Sequence, residues 1–195
     1  MENLNYPSVT VRRETLHTIS LLAGHLRPNM RVLDVGCGAG YVSGELARWP
    51  GLDVQAVDIV DCREVKSFPF ELFDGIRLPF PAGSFDLVLL SFVLHHVPDE
   101  RKIPLLHEVM RVSRDIVVLV EDTPQNALDQ LVGRQHAECF RRRIHSKAGY
   151  GFLTRGEWVW LLRGLGLRIL EARALGRFCR SLAQPFSRTL LVAAH

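Results

Sequence analysis

The sequence lacks an apolar run long enough to cross a membrane as a helix. Its longest apolar stretches, Leu87–Leu94 (interrupted by Ser91) and Ile116–Val120, have the length of buried strands. The N-terminus shows no basic segment followed by an apolar one, so a secretory signal is not indicated. From these absences we expect a cytoplasmic protein with no membrane partner.

Cysteine is also scarce. The four cysteines lie far apart in the chain, at Cys37, Cys62, Cys139 and Cys179. They form no C-x-x-C pair, which speaks against a zinc site or a disulfide framework. A chain of 195 residues with 47% hydrophobic content can bury a full core without such cross-links.

Short apolar runs alternate with amphipathic segments along the chain. The pattern predicts strands near 31–35, 53–58, 70–73, 86–91, 115–121, 168–175 and 188–193. It predicts helices near 11–26, 41–48, 101–112 and 154–164. This alternation is typical of an α/β fold, a Rossmann-like three-layer sandwich around a mostly parallel seven-stranded sheet. We expect the last two strands to form an antiparallel hairpin, and residues 1–195 to form a single domain.

The stretch 31–40, Arg-Val-Leu-Asp-Val-Gly-Cys-Gly-Ala-Gly, joins a short buried strand to a glycine turn. Gly36, Gly38 and Gly40 alternate through this turn, and only glycine lets a backbone approach a ligand so closely. A dinucleotide fingerprint would need a small residue where this chain has Tyr41. The spacing therefore favours a cofactor without phosphates, and a plain tight turn in an α/β domain is the alternative.

A second strand, 52–58, ends in Asp58, eighteen positions after Gly40. A carboxylate at the tip of the second strand is suited to bind a ribose diol, because it accepts hydrogen bonds from both hydroxyls. An ordinary strand-end turn residue is the alternative interpretation of Asp58.

Two further stretches follow in order. They are 73–88, Phe-Asp-Gly-Ile-Arg-Leu-Pro-Phe-Pro-Ala-Gly-Ser-Phe-Asp-Leu-Val, and 91–99, Ser-Phe-Val-Leu-His-His-Val-Pro-Asp. With them the chain resembles the class I S-adenosylmethionine-dependent methyltransferases, in the type 11-like branch that mostly modifies small molecules. The motifs cover residues 31–99, and the order of elements agrees to the C-terminus. The resemblance implies S-adenosylmethionine as cofactor and methyl transfer to an oxygen or nitrogen atom of a small molecule.

The resemblance also implies a role for each motif. The glycine turn holds the methionine part of the cofactor, the acidic strand tip holds the ribose, and the Asp-Gly pair before Leu-Pro-Phe flanks the adenine. The stretch 85–99 forms the floor between cofactor and acceptor. The cofactor-binding positions implied in this way are Asp34, Gly36, Gly38, Gly40, Asp58, Asp74, Gly75 and Ser91. Methyl transfer needs mainly alignment and exclusion of water, so no metal is expected.

Residues 122–153 lie where an insertion in this family usually covers the acceptor pocket, and we expect the same here. His136 and His145 are candidates for the general base that a hydroxyl acceptor would need. Exposed or packing histidines are the alternative for both, and His95 and His96 compete for the role. A metal site that combines histidines with the acidic residues at 121 and 122 stays open as a weaker alternative.

Charge is unevenly distributed. Residues 1–133 contain 12 Lys and Arg against 18 Asp and Glu, whereas residues 134–195 contain 12 against 3. The basic part includes Arg141, Arg142, Arg143 and Lys147. It would suit an anionic acceptor by electrostatic steering, an RNA surface, or simply a solvated arginine-rich surface.

Three functions therefore remain: a small-molecule methyltransferase, an RNA methyltransferase that uses the basic part, and a non-catalytic cofactor-binding module. Nucleic acid is disfavoured, because the sequence has no aromatic-basic interleaving and no N-P-P-Y-type motif after the fourth strand.

Overall fold

The computed structural model describes residues 4–125, 129, 131, 151–175 and 187–195. The strands are β1 (Arg31–Val35), β2 (Asp53–Asp58), β3 (Phe70–Leu72), β4 (Phe85–Ser91), β5 (Ser113–Asp122), β6 (Arg168–Leu175) and β7 (Arg188–Ala194). The helices are α1 (Val9–Leu22), α2 (Tyr41–Leu46), α3 (Asp99–Val112) and α4 (Arg155–Gly164). A short 3₁₀ turn, Leu94–His96, follows β4.

These strands form one sheet in the order β3-β2-β1-β4-β5-β7-β6. The first five strands run parallel to one another, while β7 is antiparallel to both of its neighbours. The predicted fold class, a mostly parallel seven-stranded sheet with a C-terminal antiparallel hairpin, is confirmed. The last strand does not extend the sheet outward, because it inserts between β5 and β6.

The two faces of the sheet bury separate apolar cores. Leu33 and Val88 face α3 and α4, where they pack with Leu106 and Trp158. On the other face, the alternate strand residues pack with Leu22 of α1 and with α2. Helices on both faces of a central sheet make the three layers that the sequence predicts.

Local capping explains where two helices begin. Ser8 Oγ accepts a hydrogen bond from the backbone N–H of Val11 at 3.2 Å, so α1 begins at Val9, two residues earlier than predicted. Thr154 and Glu157 form a reciprocal capping box at the start of α4.

The carboxyl ends of the five parallel strands meet at one edge of the sheet. Asp58, Ser91 and Asp122 end their strands there. Because β7 is antiparallel, its first residue, Arg188, lies at the same edge beside Asp122. Open α/β sheets bind ligands in the crevice outside this edge, and the fold therefore collects its polar groups at the expected place.

Candidate active site

The glycine turn between β1 and α2 is built from left-handed residues. Gly36, Gly38 and Gly40 have φ angles of 77°, 55° and 83°. A Cβ added to Gly36 would lie 2.6 Å from Val93 Cγ2, and one added to Gly40 would lie 2.7 Å from the Val65 carbonyl oxygen. Packing therefore requires glycine at these two positions.

Gly38 differs from its two neighbours. A Cβ added there would meet no described atom within 4 Å. Its backbone N–H donates to Asp58 Oδ2 at 2.8 Å, so the turn is held against the tip of β2 while its Cα faces open space. Because no protein atom fills this space, a ligand could approach the backbone closely at Gly38.

Two backbone N–H groups hold the Asp58 carboxylate, one on each of its oxygens. Its Oδ1 accepts from the backbone N–H of Ile59 at 2.7 Å, and its Oδ2 accepts from Gly38. Each carboxylate oxygen can accept a second hydrogen bond. The side chain is thus fixed in orientation and keeps the capacity to accept from a diol.

Asp34 is buried at the end of β1. Ser43 Oγ donates to its Oδ2 at 2.5 Å. Burial raises the pKa of Asp34 to about 6, the Ser43 hydrogen bond lowers it, and nearby Asp58 raises it further. A carboxyl group kept in such a place favours a cationic partner, because a nearby positive charge would restore its usual ionisation.

A cavity of about 160 Å³ opens beside Asp34. Its lining comes from α1, β1, the glycine turn, α2, the last residue of β4 and the residue after it: Val11, Glu14, Thr15, Thr18, Asp34, Gly36, Cys37, Val42, Ser91 and Phe92. The sequence predicted the turn and Ser91 but missed the contribution of α1. Glu14 and Asp34 give this wall two carboxylates, which suits a positively charged ligand.

The Asp74–Gly75 pair lies beside the tip of β2. Asp74 Oδ1 accepts from the backbone N–H groups of Ile76 and Arg77 at 2.8 and 2.7 Å, and these bonds lower the pKa of Asp74. A Cβ added to Gly75 would lie 3.2 Å from Ile59 Cγ2. The motif that contains Asp74 and Gly75, the third in the chain, is therefore brought next to the tip of β2.

An apolar surface that the sequence motifs did not predict lies between these two motifs. Ile59 and Val60 follow Asp58 directly and are 65% and 57% exposed. Exposed apolar side chains beside a polar strand tip are suited to cover the face of a planar ring. The signal in the sequence was the Ile-Val pair immediately after the acidic tip.

Glu121, near the end of β5, accepts hydrogen bonds from the backbone of the segment that follows β4. Glu121 is fully buried, and its Oε1 accepts from the backbone N–H groups of Val93 and Leu94 at 3.0 and 2.7 Å. Its Oε2 lies 2.6 Å from His95 Nδ1. The His95 ring stacks on Phe152, with ring centres 5.0 Å apart. Glu121 and His95 were weighed in the sequence only as metal or base candidates, and their pairing was not predicted.

Several predicted residues lie outside the described part of the chain. These are His136, His145, Arg141, Arg142, Arg143 and Lys147, together with most of the 122–153 insertion. Within the described ranges, no three His, Cys, Asp or Glu side chains are grouped so that they could hold a metal ion. The same ranges contain no helix of the length and apolarity that a membrane span needs.

Comparison with known proteins identifies the family. The family described as "Methyltransferase domain" matches residues 10–172. Demethylmenaquinone methyltransferase from Beutenbergia cavernae is 35% identical over 127 residues, which cover 58% of this chain and 48% of that protein. The 27-O-demethylrifamycin SV methyltransferase from Amycolatopsis mediterranei is 32% identical over 136 residues, again 58% and 48%. This chain thus matches about half the length of these curated relatives.

A solved structure agrees in fold. The 1,6-didemethyltoxoflavin-N1-methyltransferase from Burkholderia thailandensis, determined with S-adenosylhomocysteine bound, superimposes with a TM-score of 0.70 at 18% identity. The superposition covers 96% of this chain and 79% of that one. Together with the family match over most of the chain, the ordered motifs and the sheet topology lead to one conclusion: the chain belongs to the class I S-adenosylmethionine-dependent methyltransferases.

Proposed function

We propose that this protein transfers the methyl group of S-adenosylmethionine to an oxygen or nitrogen atom of a small molecule. The observation that carries the proposal is the cavity at the carboxyl edge of the sheet. Asp34, which is buried and has a raised pKa, lines this cavity. In the adjoining glycine turn Gly38 faces open space, and its backbone N–H orients Asp58.

The residues present suit each part of this cofactor. Asp34 and Glu14 would face the methionine end, where a carboxylate complements the ammonium group and the sulfonium. Asp58 would accept hydrogen bonds from the ribose hydroxyls. Asp74 and the apolar Ile59 would flank the adenine, and Gly75 leaves room for its ring.

When bound, S-adenosylmethionine supplies a methyl group on a positively charged sulfur, which an acceptor displaces in line. The protein's work is then to align the acceptor and exclude water. The carboxylates of the cavity wall orient the cofactor. Ser91 ends β4 and Phe92 follows it, and both line the cavity. In this proposal they form the wall on the side from which an acceptor would approach.

The names of the relatives support a small acceptor. One acts on demethylmenaquinone, one on 27-O-demethylrifamycin SV, and the structural neighbour is named for N1 methylation of a toxoflavin precursor. The last two names specify an oxygen and a nitrogen. We place the acceptor under residues 122–153, and we keep His136 and His145 as the candidate bases.

Calorimetry and a turnover assay test the proposal. The protein is titrated with S-adenosylmethionine, S-adenosylhomocysteine and NAD, and we expect binding of the two sulfur compounds only. It is then incubated with S-adenosylmethionine and a panel of phenols, hydroquinones and heteroaromatic amines, with S-adenosylhomocysteine formation followed by mass spectrometry. Preference for NAD would reject the cofactor assignment. Salt-sensitive methylation of RNA, with no small molecule methylated, would favour the RNA alternative.

A further inference from the structure

A buried arginine connects three elements at the edge of the cavity. Arg188, the first residue of β7, is almost fully buried. Its Nε donates to Asp122 Oδ1 at 3.0 Å, and its Nη2 donates to Glu14 Oε1 at 3.3 Å. Its guanidinium carbon lies 4.5 Å from the centre of the Phe92 ring. One side chain thus contacts β5, α1 and the residue after β4.

Two of these partners line the cofactor cavity. Glu14 and Phe92 both contribute to its wall, whereas Arg188 stands behind them. A planar guanidinium can serve two carboxylates and an aromatic face at once, which the point charge of a lysine cannot do. Arg188 therefore links α1 to Phe92, because its side chain contacts both Glu14 and the Phe92 ring.

Phe92 needs such support. Its φ angle is 59°, in the left-handed region that residues with a Cβ rarely adopt. Its backbone N–H donates to the Val120 carbonyl at 2.8 Å, which fixes the sharp turn out of β4. A strained residue that lines a ligand cavity persists because its surroundings hold it there.

Asp122 depends on the same contact. It is buried, and burial raises its pKa against the lowering effects of His95 and Arg188. Without the guanidinium, a buried carboxyl would remain without its closest cation. Loss of Arg188 alone therefore perturbs the fold as well as the cavity, and an experiment must separate the two effects.

We infer that Arg188 is a positioning residue for cofactor binding, because it holds Glu14 of α1 and the ring of Phe92 in the arrangement that shapes the cavity. The inference rests on the proposed function. It predicts that the cavity loses affinity when Arg188 no longer reaches both partners, even if the fold is intact.

The experiment compares four proteins by calorimetric titration with S-adenosylhomocysteine and by thermal unfolding. The variant D122N/R188M removes both charges of the buried pair and so avoids an unpaired carboxylate. The variant R188K keeps a cation beside Asp122 but cannot hold Glu14 and Phe92 together. The control, D115N/R27M, removes an exposed Arg–Asp pair at the opposite edge of the sheet.

We expect D122N/R188M to unfold near the wild-type temperature and to bind S-adenosylhomocysteine at least tenfold more weakly. We expect R188K to bind several-fold more weakly, and D115N/R27M to bind as the wild type does. Amide exchange in α1 should be faster in D122N/R188M than in the control. Wild-type affinity in either folded Arg188 variant would overturn the inference. Failure of the wild-type protein to bind would overturn the proposed function and this inference with it.

Discussion

Gly38 donates its backbone N–H to Asp58 Oδ2 across 2.8 Å, and this hydrogen bond joins the glycine turn to the tip of β2. The two residues belong to different sequence motifs, yet they form one surface. A ligand bound to the Asp58 carboxylate would therefore lie beside the glycine turn. Substitutions at these two positions should therefore affect the same binding event.

Replacement of Gly38 by alanine should separate backbone strain from ligand contact. Gly83 is a matched control, because it also has a positive φ angle (62°, against 55°) and no described atom within 4 Å of an added Cβ. Alanine at either position should lower the free energy of unfolding by a similar amount, about 1–2 kcal/mol. Only Gly38→Ala should reduce the affinity for S-adenosylhomocysteine, by tenfold or more, in calorimetry. Equal affinities in the two variants would show that the turn is only structural.

The variant Asp58→Ala should weaken cofactor binding by about 1.5–3 kcal/mol, the usual contribution of hydrogen bonds to a charged group. The control is Asp53→Ala at the other end of β2, where the carboxylate is exposed and pairs with Arg31. The affinity of each variant is measured for S-adenosylmethionine and for adenosine. An unchanged adenosine affinity in Asp58→Ala would mean that another group binds the ribose.

The raised pKa of Asp34 predicts a pH dependence of stability. Its pKa is about 6 in the folded protein against an ordinary value of 3.8, so the folded state holds the proton more tightly. The contribution of this group to stability is complete below pH 4 and is lost as the pH rises through 6, by about 3 kcal/mol. The variant Asp34→Asn, which can still accept from Ser43, should lack this loss when urea unfolding is measured between pH 4 and 7.

The same group predicts the opposite trend for cofactor binding. A cationic ligand prefers the ionised form of Asp34, so the affinity for S-adenosylmethionine should rise as the pH increases through 6. Calorimetry at several pH values in wild type and in Asp34→Asn measures this trend. A rise that persists unchanged in the variant would assign it to another group.

Glu121 holds the chain after β4, and His95 Nδ1 lies within hydrogen-bond distance of this carboxylate. We expect that any side chain that donates a hydrogen bond to Glu121 from this position preserves most of the stability, even without an imidazole ring. His95→Asn can place an amide N–H near the position of Nδ1, whereas His95→Leu cannot donate at all. His95→Leu should lose about 1.5–3 kcal/mol of stability, because a buried carboxylate loses a donor. His95→Asn should lose clearly less in the same urea titration. Equal losses would indicate that stacking on Phe152 is the main contribution of the ring.

Much of the fold was predictable because each strand has a local signature. β1 and β4 are short runs of buried aliphatic residues, and turn residues separate them from the helices. The bounds predicted for β2 agree with the structure within one residue at its start and at Asp58, its last residue. The hairpin of β6 and β7 was also predicted, since two strand patterns follow each other without a crossover helix.

The cavity wall was less predictable because its parts come from distant positions. Glu14, Thr15 and Thr18 lie on α1, where polar residues look like a solvated helix face until the sheet is in place. Arg188 and Asp122 are 66 residues apart, and only the antiparallel register of β5 and β7 brings them together. Local patterns carry no information about such pairings.

The insertion of β7 between β5 and β6 has a consequence for how the chain folds. Among the described strands, β6 pairs only with β7, so β6 cannot be added to the sheet before residues 188–194 have paired with β5. The contacts between β5 and β7 close a loop of more than sixty residues. Closing such a loop costs conformational entropy, and this cost slows folding. Until then the apolar edge of β5, with Val118 and Val120, stays open to pairing with other chains. A truncation before Arg188 should therefore yield an aggregating protein rather than a smaller folded one.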